Sequence, residues 1–214
     1  MDKSIVIRNE RESDYALVEE ITRKAFYNLY IPGAIEHYLV HVIRSHEDFI
    51  PELDLVVEVD GQVVGNIMYT KTRLVDEAGT VKNILTFGPV CILPGLQRQG
   101  YGKRLMEESF ARAAAMGYDV IVIFGNPNNY VGRGFVSCKR RNVCLEGGTF
   151  PAAMMVKELR PGALDGRAWV YYESPVFGID EHDAALYDDG LEPMEKTYQP
   201  SQEEFYIHSH SVMQ

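Results

Sequence analysis

The sequence predicts a mixed α/β fold, with a mostly antiparallel sheet flanked by helices and a C-terminal extension beyond it. Three observations predict this class. A valine-rich run reaches Asp60-Gly61 and returns, as the strands of a tight hairpin do. An amphipathic helical pattern over residues 100–116 leads into the uninterrupted apolar run Val120-Ile121-Val122-Ile123-Phe124, as expected of a strand covered on both faces. After Pro161-Gly162 the regular patterning fades.

Each element can be placed in order. Ser4-Ile5-Val6-Ile7-Arg8 is a β-rich opening strand. Ser13 offers an N-cap to a helix in which Ala16, Leu17, Ile21, Ala25 and Phe26 recur at helical spacing, and Pro32-Gly33 breaks it. Ile35, Tyr38, Leu39, Val42 and Ile43 mark a second amphipathic helix. Residues 53–59, 62–72 and 81–92 then form an antiparallel meander whose second turn is 76–79. In the helix at 100–116, Leu105, Met106, Phe110 and Ala113 share one face, Glu107, Glu108 and Arg112 the other, and Gly117 ends it. Strand, crossover helix and buried strand together make a right-handed βαβ unit. Residues 143–145 and 153–159 are two further strands, with Gly147-Gly148 between them. Beyond the boundary near Pro161, Trp169–Tyr172 reads as a strand, whereas Asp180-Glu181, Asp188-Asp189-Gly190 and the Gln/Ser/His end read as irregular. The division is therefore a domain over 1–161 and an extension over 162–214.

Composition narrows the function. With 46% hydrophobic residues over 214, the chain has the material for a sizeable core. Its 21 Lys and Arg against 31 Asp and Glu give a net charge of -10, which argues against nucleic-acid binding and suits a small cationic partner such as an amine. Cys91, Cys138 and Cys144 are odd in number and form no C-x-x-C pair, so free thiols in a reducing, cytoplasmic setting are expected. No apolar signal-peptide region opens the sequence and no run of ~18 apolar residues occurs, so no membrane partner is expected.

The chemistry is concentrated in Gln97-Arg98-Gln99-Gly100-Tyr101-Gly102-Lys103, a Gln-x-x-Gly-x-Gly loop between a strand and a helix. Glycines there let backbone approach a ligand closely, and the free N–H groups of the helix N-terminus suit an anion such as a pyrophosphate. A dinucleotide fold would want a glycine at Gln97 and a first strand outside a meander. A Walker loop would want a hydroxyl after Gly102-Lys103, where Arg104 stands. A plain glycine-rich turn is the competing reading.

Val90-x-Ile92-x-Pro94 ahead of this loop, with Gly125-x-Pro127, Tyr130 and Gly134-Phe135 downstream, resembles the acetyl-CoA motifs of the GNAT superfamily. The resemblance covers residues 5–159 and not the extension. It implies a GNAT-type sheet and N-acetyl transfer from acetyl-CoA, without a metal, to an amine of a small molecule or peptide. It further implies that Val90 and Ile92 offer backbone groups to the pantetheine arm. Gln97, Arg98, Gln99, Gly100, Tyr101, Gly102 and Lys103 would hold the pyrophosphate, Asn126 would contact the cofactor, and Tyr130 would protonate the departing thiolate. The sequence departs from the family pattern at Gly132 and Arg133. In such a mechanism the amine attacks directly, a backbone N–H on the fourth strand stabilises the oxyanion, and a carboxylate or water chain serves as base; Glu58 is the carboxylate considered.

The rival function is a CoA-binding regulatory or interaction module that has lost catalysis. Plainer roles compete at single residues. Tyr130 can be an aromatic packing a turn, and Cys91 a small buried hydrophobe. His37 and His41 share a helix face but lack the glutamate of a zinc helix, so solvated histidines are expected, and His208 and His210 belong to the tail. The extension is either an arm that covers the acceptor cleft, a surface that pairs subunits into a homodimer, or a loosely packed tail.

Overall fold

Valine-rich β2 (Leu55–Val59) turns at Asp60 and Gly61, both with positive φ, into β3 (Gln62–Asp76). Two positive φ values in a two-residue loop match the twist of the strands they join, which is why Asp-Gly stands there. In the computed structural model, which describes residues 3–214, this hairpin is the frame for the rest. On its outer side β1 (Ile5–Asn9) pairs antiparallel with β2, and on its inner side β4 (Val81–Ile92) pairs antiparallel with β3. From β4 the chain passes through α3 (Tyr101–Ala115) to β5 (Val120–Phe124), which lies parallel to β4. Past the short helix α4 (Pro127–Tyr130), the sheet is extended by β6 (Val136–Ser137) and β8 (Met154–Glu158) in the order β1-β2-β3-β4-β5-β8-β6. The fold is thus the mixed, mostly antiparallel sheet that the sequence predicts.

Strand periodicity distributes the core. Leu55, Val57 and Val59 pack with Leu105 and Phe110 of α3 on one face. Val56, Val63 and Met68 turn to the other face, against Val18 and Ile21 of α1 (Tyr15–Phe26) and Val40 and Ile43 of α2 (Glu36–Ile43). The two-residue alternation of a strand needs both faces covered when every position is apolar, and these helices supply the cover.

Several elements differ from the sequence reading. The first helix is preceded by a helical turn at Glu12–Asp14, and Asp14, not Ser13, occupies its cap position. The second strand starts at Leu55, because Pro51–Leu53 forms a turn of helix. The third strand runs on to Asp76 because β9 (Trp169–Tyr172) pairs with Arg73 to Asp76, on the edge that β2 leaves free; β7 (Val143–Cys144) joins β9. Trp169 is buried there and its indole N–H donates to Leu164 O at 3.1 Å.

The stretches read as irregular hold two helices, α5 (Glu181–Asp189) and α6 (Pro200–His210). Asp180 caps α5 by accepting from His182 N and Asp183 N, and Pro200 opens α6. Their buried residues are Ala184 and Asp188 in one and Gln202 in the other, so no apolar stripe announced them. His37 is buried, not solvated: its ring lies against Asp188 Oδ1 at 3.2 Å. Among the described residues no helix is long and apolar enough to cross a membrane.

Gly65 sits opposite Ile92 of β4, and a Cβ there would meet Cys91 O and the Ile92 side chain. Backbone cannot move aside without breaking the ladder. Gly65→Ala is predicted to destabilise the fold by about 1–3 kcal/mol in urea unfolding, the usual range for an overpacked interior. A change of less than about 0.5 kcal/mol, as at ordinary surface positions, would contradict this packing.

Candidate active site

Among the described residues β4 and β5 are paired at one register position, Leu85 with Ile121. Beyond it they part. The register against β3 shows why: Ile67 opposes Val90 while Tyr69 opposes Phe87, so β4 carries one residue more than β3 at Gly88-Pro89. Such a bulge bends the strand, and proline has no N–H for a ladder. The opening between the strands is a cleft of about 660 Å³.

The free edge of β4 lines it. Leu93 N donates to Val64 O at 2.8 Å, which fixes the antiparallel alternation: residues 91 and 93 face β3, while 90 and 92 turn their main-chain groups the other way. Val90 and Ile92 therefore present N–H groups along the cleft. Gln97 Nε2 donates to Ile92 O at 3.0 Å and ties the glycine loop to the strand end.

The loop reaches α3 through two left-handed residues, Arg98 at φ 59° and Gly100 at φ 90°. The space that a Cβ on Gly100 would enter is open, and no side chain caps α3, so its first N–H groups remain available at the cleft. Arg98 and Lys103 line the same end with positive charge. Gln99 and Tyr101 do not line it with their side chains. Gln99 reaches back to Gly95 O at 3.4 Å, and Tyr101 is buried with its hydroxyl 3.3 Å from Lys3 Nζ. Either can meet a ligand there only through its backbone.

The opposite wall is built after β5. Asn126 uses its side chain to cap α4, accepting from Asn128 N at 3.0 Å, so Asn128 and Asn129 rather than Asn126 line the cleft. Tyr130 lies between Phe87 and Phe135, with ring centroids 5.9 and 5.8 Å away, and faces the cleft. A Cβ on Gly125 would stand 2.7 Å from Tyr130 Cε2, so the glycine of the Gly-x-Pro turn makes room for the ring. Burial raises the Tyr130 pKa above the usual phenol range, which keeps its proton in place at neutral pH. Where the sequence departs from the family pattern, a Cβ on Gly132 would enter open space, while Arg133 lines the cleft with a buried Nε that has no protein partner.

The third wall escaped sequence reading. Phe26, Tyr30 and Glu36, from α1, its following turn and the start of α2, lie in the cleft with Glu173 and Phe177 from the extension. Tyr30 stacks on Phe205 of α6 at 4.6 Å, and Arg23 of α1 is ion-paired with Asp188 of α5 at 2.7 Å. Burial pushes the Glu36 carboxyl up to about 7. Burial likewise raises the Glu173 carboxyl. A glutamate in a helix's first turn looks like any other in sequence, so nothing marked Glu36 out.

Glu58, the carboxylate weighed as a base, is held by Arg8 at 2.6 Å and does not line the cleft. Cys91 is buried, its Sγ 3.0 Å from Asn66 Oδ1, and burial pushes its thiol up to about 11, the state of a packing residue and not of a nucleophile.

Residues 20–137 match the model of the acetyltransferase (GNAT) family. The uncharacterized N-acetyltransferase YjhQ of Escherichia coli (strain K12) is 27% identical over 128 residues, spanning 59% of this chain and 67% of YjhQ. Among solved structures, the GNAT family N-acetyltransferase YhbS of Escherichia coli in complex with CoA superposes with a TM-score of 0.70 at 22% identity, covering 82% of this chain and 92% of that one. A GNAT family acetyltransferase of Brucella melitensis in complex with acetyl-CoA gives 0.63 at 25% identity, covering 81% and 98%.

The raised Glu36 pKa has a sign that can be checked. The unfolded chain loses this proton near the ordinary 4.5 and the folded chain near 7, so stability falls as pH rises through that window. Glu36→Gln does not titrate. It is predicted to gain up to about 3 kcal/mol over the parent at neutral to mildly basic pH, a gain that vanishes near pH ~4. Urea unfolding at both pH values checks it, and an equal difference at each would contradict a desolvated carboxyl.

Proposed function

The chain belongs to the acetyltransferase (GNAT) family and is an N-acetyltransferase; on that premise we propose that it moves the acetyl group of acetyl-CoA to a primary amine of a small molecule or peptide by direct attack, with Tyr130 as general acid. The observation that carries this reading is the free edge of β4, which faces a phenol across the cleft and runs into a glycine loop at one end.

Each residue has a part that its position supports. The main-chain N–H groups of Val90 and Ile92 donate along the pantetheine arm as an added strand would, and one of them stabilises negative charge on the thioester oxygen. The loop amides from Gln97 to Lys103 take the pyrophosphate, and the open cradle at Gly100 gives it room. Arg98 and Lys103 add charge at that end. Tyr130 supplies the proton to sulfur as the thiolate leaves. We assign residues 1–161 to the catalytic domain. Residues 162–214 are an extension that fixes the acceptor wall, through Asp188 on Arg23, Gln202 on Asn28 O and Phe205 on Tyr30.

Tyr130→Phe keeps the ring that Gly125 and Phe87 enclose and removes only the donor. With a turned-over amine in hand, kcat read as thiol release should fall about 10²–10⁴-fold while acetyl-CoA affinity holds. A Phe variant that works at the parent rate, with chemistry rate-limiting, returns Tyr130 to a packing role. Acetyl-CoA binding with no release by any of a broad set of amines would instead favour a CoA-binding module without catalysis.

A further inference from the structure

Glu36 is a carboxylate set in a largely apolar wall. Phe26, Leu29, Tyr30 and Phe177 line the same cleft. One carboxylate oxygen is held by the Ile35 N–H at 3.1 Å, and among the described residues no cation pairs with Glu36. The cationic side chains of the glycine loop, Arg98 and Lys103, lie where the phosphates of the donor are proposed to sit. Burying a carboxylate among aromatic rings is unfavourable unless a cation partners it. An ammonium group satisfies that need and gains from the ring faces as well.

Resting on the acetyl-transfer reading, we infer that Glu36 receives the ammonium of the acceptor, and that the acceptor is a primary amine with an apolar body and no carboxylate of its own. The walls fix the second half of this statement. In an α-amino acid the carboxylate stands on the carbon that bears the ammonium, so docking at Glu36 sets two carboxylates side by side, and that repulsion disfavours it. Tyr30 is fixed for this role, stacked on Phe205 at 4.6 Å and set 5.8 Å from Phe26. The wall is therefore preorganised, which favours a rigid apolar group.

The test is calorimetric titration of the full chain at about pH 8, where amine and carboxylate are both charged. CoA is titrated first, and then 2-phenylethylamine and phenylalanine are titrated in turn into the CoA-saturated protein. Saturable binding of 2-phenylethylamine is expected, with phenylalanine weaker by about tenfold or more, and with a loss of about tenfold in Glu36→Gln that still binds CoA normally. The inference is overturned by absent phenylethylamine binding, by tighter binding of phenylalanine, or by unchanged affinity in the Gln variant. CoA binding followed by any of these leaves the acetyl-transfer reading standing. A chain that takes no CoA overturns both.

Discussion

Among the described residues β4 and β5 pair at a single register position, Leu85 with Ile121, and this is the constraint on which the rest of the molecule depends, because a strand that leaves its neighbour must satisfy its backbone groups in another way. An extra residue at Gly88-Pro89 bends β4 away, and from there to Ile92 its outer edge faces a cleft instead of a partner strand. Sheets normally hide such edges. Here the edge is kept open between two layers of helices, and an extended ligand with its own amides is the natural complement.

Everything around the edge follows from keeping it open and usable. Gln97 closes Ile92 O and so anchors the loop that feeds α3. Gly125 yields its side-chain volume to Tyr130, which places a protonated phenol on the far wall. The helices α1 and α2 close the third side, and the extension clamps them through Arg23–Asp188 and Tyr30–Phe205. The cleft thereby carries both signs of charge, with Arg98 and Lys103 at the loop, Arg133 after α4, and Glu36 and Glu173 on the walls from α2 and beyond β9. The cations at the loop suit a donor rich in phosphate, and the carboxylate of Glu36 suits an acceptor that arrives as a cation.

How far this could be read from sequence depends on how local each cause is. Asp60-Gly61 and the valines beside it announce a hairpin because turn chemistry and alternation act within a few residues. The apolar run at Val120–Phe124 gave β5 with its observed limits for the same reason. The glycine loop was legible because only backbone freedom explains glycines at the mouth of a helix. Glu36 was not, since its meaning comes from Phe26, Tyr30 and Phe177 folding around it. The helices α5 and α6 were missed because each buries only one or two residues, Ala184 and Asp188 in one and Gln202 in the other, so neither carries a hydrophobic period. His37 looked solvated beside His41, yet α5 covers one and leaves the other exposed.

The account stands on the cleft edge and its loop as the place where CoA lies. The most direct measurement is a titration of isotope-labelled protein with CoA, followed at every backbone amide by heteronuclear NMR. The account predicts that the largest shifts fall on Val90, Ile92 and the amides from Arg98 to Lys103, with smaller changes at Asn128 to Tyr130. Saturable binding whose shifts cluster elsewhere, leaving Val90, Ile92 and the glycine loop unmoved, would contradict it.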